Sequence, residues 1–351
     1  MLKGLLLAGL ALACAGLAHA DARTDFLARG EAELQRGENT AALDDFERAS
    51  MMRHEADAEI GVIRAAMQDG QYRRALAFVA HTAGVHLDHV DAGALYAWLL
   101  YVGGQQELAR RTLAHWQERA PDDAMLAEVA RAFAQDIPAV GGVLLQSPHR
   151  YAPWAVGDRP PADARFASNG VLIGDGSLAL APAVDGDTVW VRNGLGQASA
   201  ATVDRSDAAL QAAGLVLLRL QTPLGTGAAV SAAREPFAGG PGFALQFSPG
   251  TEPGWPILSQ GFLGAQAGPL RRLGFALAGS SRGAPVLDRQ GRLAGIVVSA
   301  PAGSDPLWLP LARWPGAPAA PEDAAPPQKS LMSPDQAYEL GMRLALQVLQ
   351  R

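Results

Sequence analysis

The stretch Gly279-Ser280-Ser281-Arg282-Gly283-Ala284-Pro285-Val286-Leu287-Asp288 is a loop of small residues that runs straight into an apolar segment. Its serines are candidate nucleophiles, and a serine attacks only when a base takes its proton; at neutral pH that base is usually histidine. All seven histidines of the 351-residue chain lie at or before His149, and no lysine occurs between Lys3 and Lys329. The two common partners of a nucleophilic serine are therefore missing from 150–328, the stretch that holds this loop.

Working outward, length alone suggests about two domains. A hydrophobic fraction of 49% is ample for packed cores, and a net charge of −6 provides no basic face, which argues against nucleic-acid binding. Glycine and proline concentrate after position 140 and favour a turn-rich β region there, whereas the alanine-rich first third reads as helical. Residues 1–20 have the anatomy of a signal peptide: Lys3, an apolar run from Leu5 to Ala13, and Ala18-His19-Ala20 as a cleavage site before Asp21. The alternative, lipidation at Cys14, fits less well because Ala11 stands where a lipobox has leucine. No later segment is long and apolar enough for a membrane span, so the chain is expected to be exported.

Over 21–140 a pattern repeats every 33 to 34 residues. Gly37, Gly70 and Gly104 share one position; Ala42, Ala75 and Ala109 follow, then Phe46, Val79 and Leu113, then Ala49, Thr82 and Trp116. Glycine permits the tight turn between paired helices, alanine lets them approach, and the larger apolar residue fills the gap on the same face. This resembles the tetratricopeptide repeat (TPR), whose stacked helical hairpins offer a curved surface for binding. An irregular helical bundle is the alternative. His86 and His89 are close enough in sequence to share a metal, but neither a cysteine nor an acidic cluster completes a ligand set, and they read as solvated loop histidines. No metal or cofactor is expected.

Over 141–315 the periodicity changes to short apolar runs separated by turns such as Asp175-Gly176, Asp185-Gly186, Asn193-Gly194 and Gln290-Gly291, the pattern of a β-sandwich or barrels. The run from Ser168-Asn169-Gly170-Val171 to Ala181-Pro182-Ala183-Val184, the strand Gly214-Leu215-Val216-Leu217-Leu218-Arg219-Leu220, and the loop from Ser280 to Ile296 stand in the order of three motifs of trypsin-like serine proteases, specifically the HtrA-type branch. The resemblance implies a double β-barrel. It also implies that the catalytic histidine, aspartate and serine positions are occupied by Ala183, Gly214 and Arg282. Alanine and glycine carry no proton-transfer group, and arginine stays charged. Shifting the loop by one residue makes Ser281 a fallback nucleophile, still without a base. Arg282, with Ser281 and Ser280, remains a candidate for binding a carboxylate. Asp185 and Asp187 on one hairpin are too few for calcium, and Trp154, Trp190, Trp255, Trp308 and Trp314 read as core or rim packing.

Residues 316–331 read as a proline- and alanine-rich linker, and 332–351 as a C-terminal amphipathic helix capped by Ser333-Pro334, with Ala337, Leu340, Leu344 and Val348 on one face. The expected fold class is multidomain α plus β: a TPR-like α-helical array, a trypsin-like double β-barrel, and a C-terminal helix. The expected function is that of an exported, periplasmic scaffold or adaptor that binds a protein or peptide partner through a catalytically inactive (pseudo)protease. Two alternatives stay open: an active serine endopeptidase built around Ser281, and a regulatory pseudo-enzyme paired with an active envelope protease.

Overall fold

The structure, a computed structural model, describes residues 22–135, 138–225, 227, 236–250, 252–299, 305–314 and 331–351. The expected leader over 1–20 with Cys14, and all but the last residue of the expected linker, lie outside the described residues.

Among the described residues seven helices come first: α1 (22–36), α2 (Asn39–Met52), α3 (Ala56–Gln68), α4 (Tyr72–Val85), α5 (Val90–Val102), α6 (Gln106–Arg119) and α7 (Ala124–Phe133). The first six form three successive hairpins with one turn chemistry. Gly37, Gly70 and Gly104 sit at φ of +76°, +78° and +87°, a conformation that costs glycine nothing. Each donates its N–H to the carbonyl three residues back, and the following residue donates to the carbonyl five back, which satisfies the last free carbonyls of the preceding helix. The small and large positions read from the sequence are all buried, from Ala42, Ala75 and Ala109 to Phe46, Val79 and Leu113.

The β region contains two closed six-stranded barrels. The first uses β2 (Arg165–Ile173), β3 (Leu178–Pro182), β4 (Thr188–Asn193), β5 (Gln197–Asp204) and β6 (Leu215–Leu220), with the short β1 (Val156–Gly157) parallel to β5 outside the ring. The second uses β7 (Gly240–Gln246), β8 (Ile257–Ala267), β9 (Leu270–Leu273), β10 (Pro285–Asp288), β11 (Leu293–Ser299) and β12 (Leu307–Pro310). A five-residue helix, α8 (Ala208–Ala212), joins β5 to β6. This double barrel is the architecture that the sequence motifs imply.

The first barrel, however, does not close within 141–315. Its sixth strand is β13 (Ala345–Gln350), which follows α9 (Pro334–Leu344) and pairs antiparallel with both β2 and β4. The helix expected over 332–351 therefore ends at Leu344, and Val348, placed on its apolar face by the sequence reading, lies on a strand. The physical reason is that Val348 fits helical spacing with Leu344 and Leu340 but equally alternates with Leu346 on one face of a strand. Leu346 and Val348 point into the first barrel's interior with Leu172, Val191, Val216 and Leu218. With β13 in first place, both barrels have the same cyclic order. The second runs β7-β8-β9-β12-β11-β10, and the first runs β13-β2-β3-β6-β5-β4.

The array does not stand apart from the barrels. Its hairpin turns dock on the β region: a β-carbon on Gly37 would lie 2.6 Å from Val156, and one on Gly104 would lie 3.1 Å from the Leu258 carbonyl oxygen. One continuous apolar cluster runs from Ile63 and Trp98 of the array through Tyr338 and Met342 of α9 to Leu245 and Ile296 of the second barrel.

Removing β13 would expose unpaired edges on β2 and β4 and open the first core. Deletion of residues 345–351 is expected to abolish the cooperative thermal transition and to make the segment 156–220 sensitive to limited proteolysis, whereas deletion of the exposed Arg351 alone leaves both unchanged. A 345–351 deletion that melts like the full chain would contradict the insertion.

Candidate functional site

β3 and β6 pair antiparallel up to Pro182 and Leu215, and the ladder is extended one step by the Ala183 N–H donating to the Gly214 carbonyl at 2.8 Å. Ala183 and Gly214 thus face each other where the two strands of the first barrel end. The second barrel contributes the loop before β10, which coils into a 3-10 turn over Gly279–Ser281 and places the exposed Arg282 beside them. Arg282 Nη2 lies 3.8 Å from the place a β-carbon of Gly214 would occupy. The three positions that the sequence motifs single out are therefore brought together across the barrel interface.

Asn169 of β2 fixes this loop. Fully buried, it donates its backbone N–H to the Arg282 carbonyl at 2.9 Å and its side-chain amide to the Ser280 carbonyl at 2.7 Å, while its Oδ1 accepts the Phe247 N–H at 2.7 Å. Gly283, at φ +89°, lets the loop pass so close that a β-carbon would lie 1.9 Å from the Asn169 carbonyl oxygen. The sequence reading passed over Asn169. The signal was present, because asparagine is uncommon inside a strand and a buried one needs partners of its own.

The chemistry available at this meeting point is small. Arg282 makes no ion pair among the described residues. Ser281 is 0% exposed, and its Oγ has no hydrogen-bond partner among the described residues; the Ser280 Oγ is likewise buried and unpartnered. A nucleophile has to reach both a base and a substrate, and among the described residues no base lies within hydrogen-bond reach of the buried Ser281 Oγ. Asp187 on the β3–β4 hairpin is held by Arg205 at 3.0 Å, and the Asp185 carbonyl accepts from Gln350, so the pair is engaged in structure.

A second feature has no counterpart in the sequence reading. Where α1, the segment before β2 and the first barrel meet, a cleft of about 660 Å³ is lined by Arg36, Arg150, Arg159 and Arg192, with Trp154 and Glu252. Arg150 stacks on Trp154, with its guanidinium carbon 4.3 Å from the ring centre, and donates to backbone carbonyls at Leu145 and Pro153; Glu252 stands 3.7 Å away. Arg192 bonds to Gln347 of β13 at 3.0 Å, and burial lowers its pKa to about 10. Arg36 is paired with Glu38 at 2.7 Å and Arg150 stands near Glu252, so four guanidinium groups meet two carboxylates and the cleft keeps an excess of positive charge.

No family model matches the sequence, and no curated protein matches it. Solved structures that resemble part of it include the following two. The MamO protease domain from Magnetospirillum magneticum matches with a TM-score of 0.36 and 20% identity, over 44% of this chain and 89% of that one. A serine endoprotease from Yersinia pestis matches with a TM-score of 0.36 and 18% identity, over 44% of this chain and 57% of that one.

Replacing Asn169 by alanine would leave the Phe247 N–H without its acceptor in a buried place and free the loop from β2. We expect Asn169→Ala to lower stability by roughly 2–4 kcal/mol, the cost of stranding buried polar groups, measured by urea denaturation. A loss below about 0.5 kcal/mol, the size of an ordinary surface substitution, would show that the loop is held by other means.

Proposed function

We propose that the chain is a non-catalytic protein- or peptide-binding scaffold, exported to the cell envelope after cleavage behind Ala20. In this reading 21–140 is a TPR-like module and the double barrel a pseudoprotease. The observation that carries the binding reading is the arginine-lined cleft at the junction of α1 and the first barrel. Its guanidinium groups match carboxylates in geometry and charge, which points to an acidic segment or a chain terminus of the partner. The stacked Trp154 gives the site an apolar wall for the neighbouring side chain.

The hydrolytic alternative lacks its chemistry. Ala183 and Gly214 have no group that takes a proton, Arg282 is not a nucleophile at neutral pH, and Ser281 is buried without a base. Among the described residues no helix is long and apolar enough to cross a membrane. Arg282, exposed at the barrel seam with Ser280 and Ser281 beneath it, supplies a second, weaker contact point for an acidic partner.

The test is a pull-down from envelope extract read by mass spectrometry. Arg36→Glu with Arg159→Glu, both at exposed positions, is expected to lose the wild-type partners at physiological salt, while Arg282→Ser keeps most of them. Equal capture by wild type and the double variant would remove the cleft from the binding reading. An active envelope protease among the charge-dependent partners would make the chain a regulatory pseudo-enzyme. Labelling of the wild type by a fluorophosphonate probe, lost in Ser281→Ala, would overturn the non-catalytic reading altogether.

A further inference from the structure

Five of the seven histidines gather at one edge of the helical array, where the loops between hairpins lie. His54 follows α2, His81 is in the last turns of α4, His86 ends α4, His89 precedes α5, and His149 comes in from the connecting segment. The rings of His54 and His86 stack with centres 5.1 Å apart, His81 stands 6.0 Å from His54, and His89 6.0 Å from His86. At the centre is Glu59, in the first turn of α3.

Glu59 is the anomaly. Its side chain is 1% exposed, yet neither carboxylate oxygen accepts a hydrogen bond among the described residues. A carboxylate withdrawn from water without hydrogen bonds is strongly disfavoured unless a positive charge meets it directly. Two imidazole nitrogens face it instead. His54 Nε2 stands 2.9 Å from Oε1 and His86 Nε2 stands 3.5 Å from Oε2, with His86 Nε2 also buried and without a hydrogen bond. The three ligand atoms all lie within 4.8 Å of one another.

We propose that His54, Glu59 and His86 form a binding site for a late first-row divalent metal ion of the Zn²⁺ type. The donor set of two imidazoles and one carboxylate is one that zinc accepts, and tetrahedral ligands at Zn–N and Zn–O distances of about 2.0–2.1 Å stand roughly 3.3 Å from each other. The observed 2.9 and 3.5 Å run to the two different carboxylate oxygens, and with all three ligand atoms within 4.8 Å of one another a small side-chain adjustment brings them to that spacing. Magnesium and calcium, which need shells of oxygen donors, do not fit. The side chain of His54 is 58% exposed, so the ion has a path in, and the remaining coordination position opens to water or to the exposed His81. Binding ties the α2–α3 loop to the start of α3 and the end of α4, and so locks the first hairpin against the second.

The experiment is Zn²⁺ titration of the tag-free full chain at pH 7.5, by competition with a chromophoric chelator, with Co²⁺ absorption spectra and thermal melts in parallel. The expected result is one saturable Zn²⁺ site, Co²⁺ bands of a four-coordinate N/O site, and a rise in melting temperature with Zn²⁺ but not with Mg²⁺. Loss of a direct ligand should cost at least the 10- to 100-fold seen for supporting residues, so His54→Ala, His86→Ala and Glu59→Gln are each expected to weaken binding by about 100-fold or more. Glu59→Gln removes a buried unpaired charge and is expected to fold at least as well as wild type without metal, which separates a lost ligand from a lost fold. If Glu59 is instead held by protonated histidines, Glu59→Gln lowers the metal-free melting temperature and Zn²⁺ has no effect on wild type. That outcome overturns the site, as does Zn²⁺ binding that survives Glu59→Gln and His54→Ala.

Discussion

The insertion of the last strand between β2 and β4 is the constraint on which the other parts depend. β13 closes the first barrel, and α9, just before it, is wedged between the array and both barrels. Tyr338 of α9 meets Tyr72 of α4 with ring centres 4.4 Å apart and donates to the Pro256 carbonyl at 2.8 Å, while Tyr72 donates to the Leu99 carbonyl at 2.9 Å. Arg73 of α4 pairs with Glu339 at 2.9 Å. Both tyrosines are deeply buried, which drives their pKa values upward and keeps the hydroxyls as donors. Until this segment is in place the first barrel lacks a strand and the array lacks part of its floor, so closure depends on contacts between residues as much as 185 positions apart, such as Arg165 and Gln350.

The barrel seam is held together by backbone contacts. Ala183 and Gly214 meet because β3 and β6 end together, and Arg282 joins them because Asn169 ties the second barrel's loop to the first barrel's strand. None of these causes involves the side chains that a protease would need there. The polar group that sets the seam is one that holds backbone, Asn169.

Much of this was legible in the sequence because it rests on local chemistry. The glycines at 37, 70 and 104 each close a helix in the same way, and their spacing alone located the hairpins. The strands of the barrels were marked by turn residues. The C-terminal strand was not, because Leu340, Leu344 and Val348 satisfy a helical face while Leu344, Leu346 and Val348 satisfy a strand face, and only the gap between β2 and β4 decides between them. Glu59 was hidden for a different reason: an acidic residue in a helix's first turn reads as complement to the helix dipole. Its burial between His54 and His86 comes from the stacking of hairpins, which no local pattern reports. The arginines of the cleft come from α1, the connecting segment and the first barrel, so each looked like an ordinary surface charge.

The two edges of the array consequently have different work. The edge of glycine turns is spent on docking: Gly37 lies on Val156, Gly70 on Arg343 and Leu195, and Gly104 on Leu258. The opposite edge, where the inter-hairpin loops lie, carries the histidines and the stranded carboxylate. Between them the flank of α1 meets the first barrel and forms the arginine cleft. A repeat array anchored by one whole edge cannot flex freely as a free solenoid does. Recognition in such a body belongs at the junction, where helix and barrel residues are held in fixed relation, and a metal at the far edge would act by stiffening the hairpins that support it.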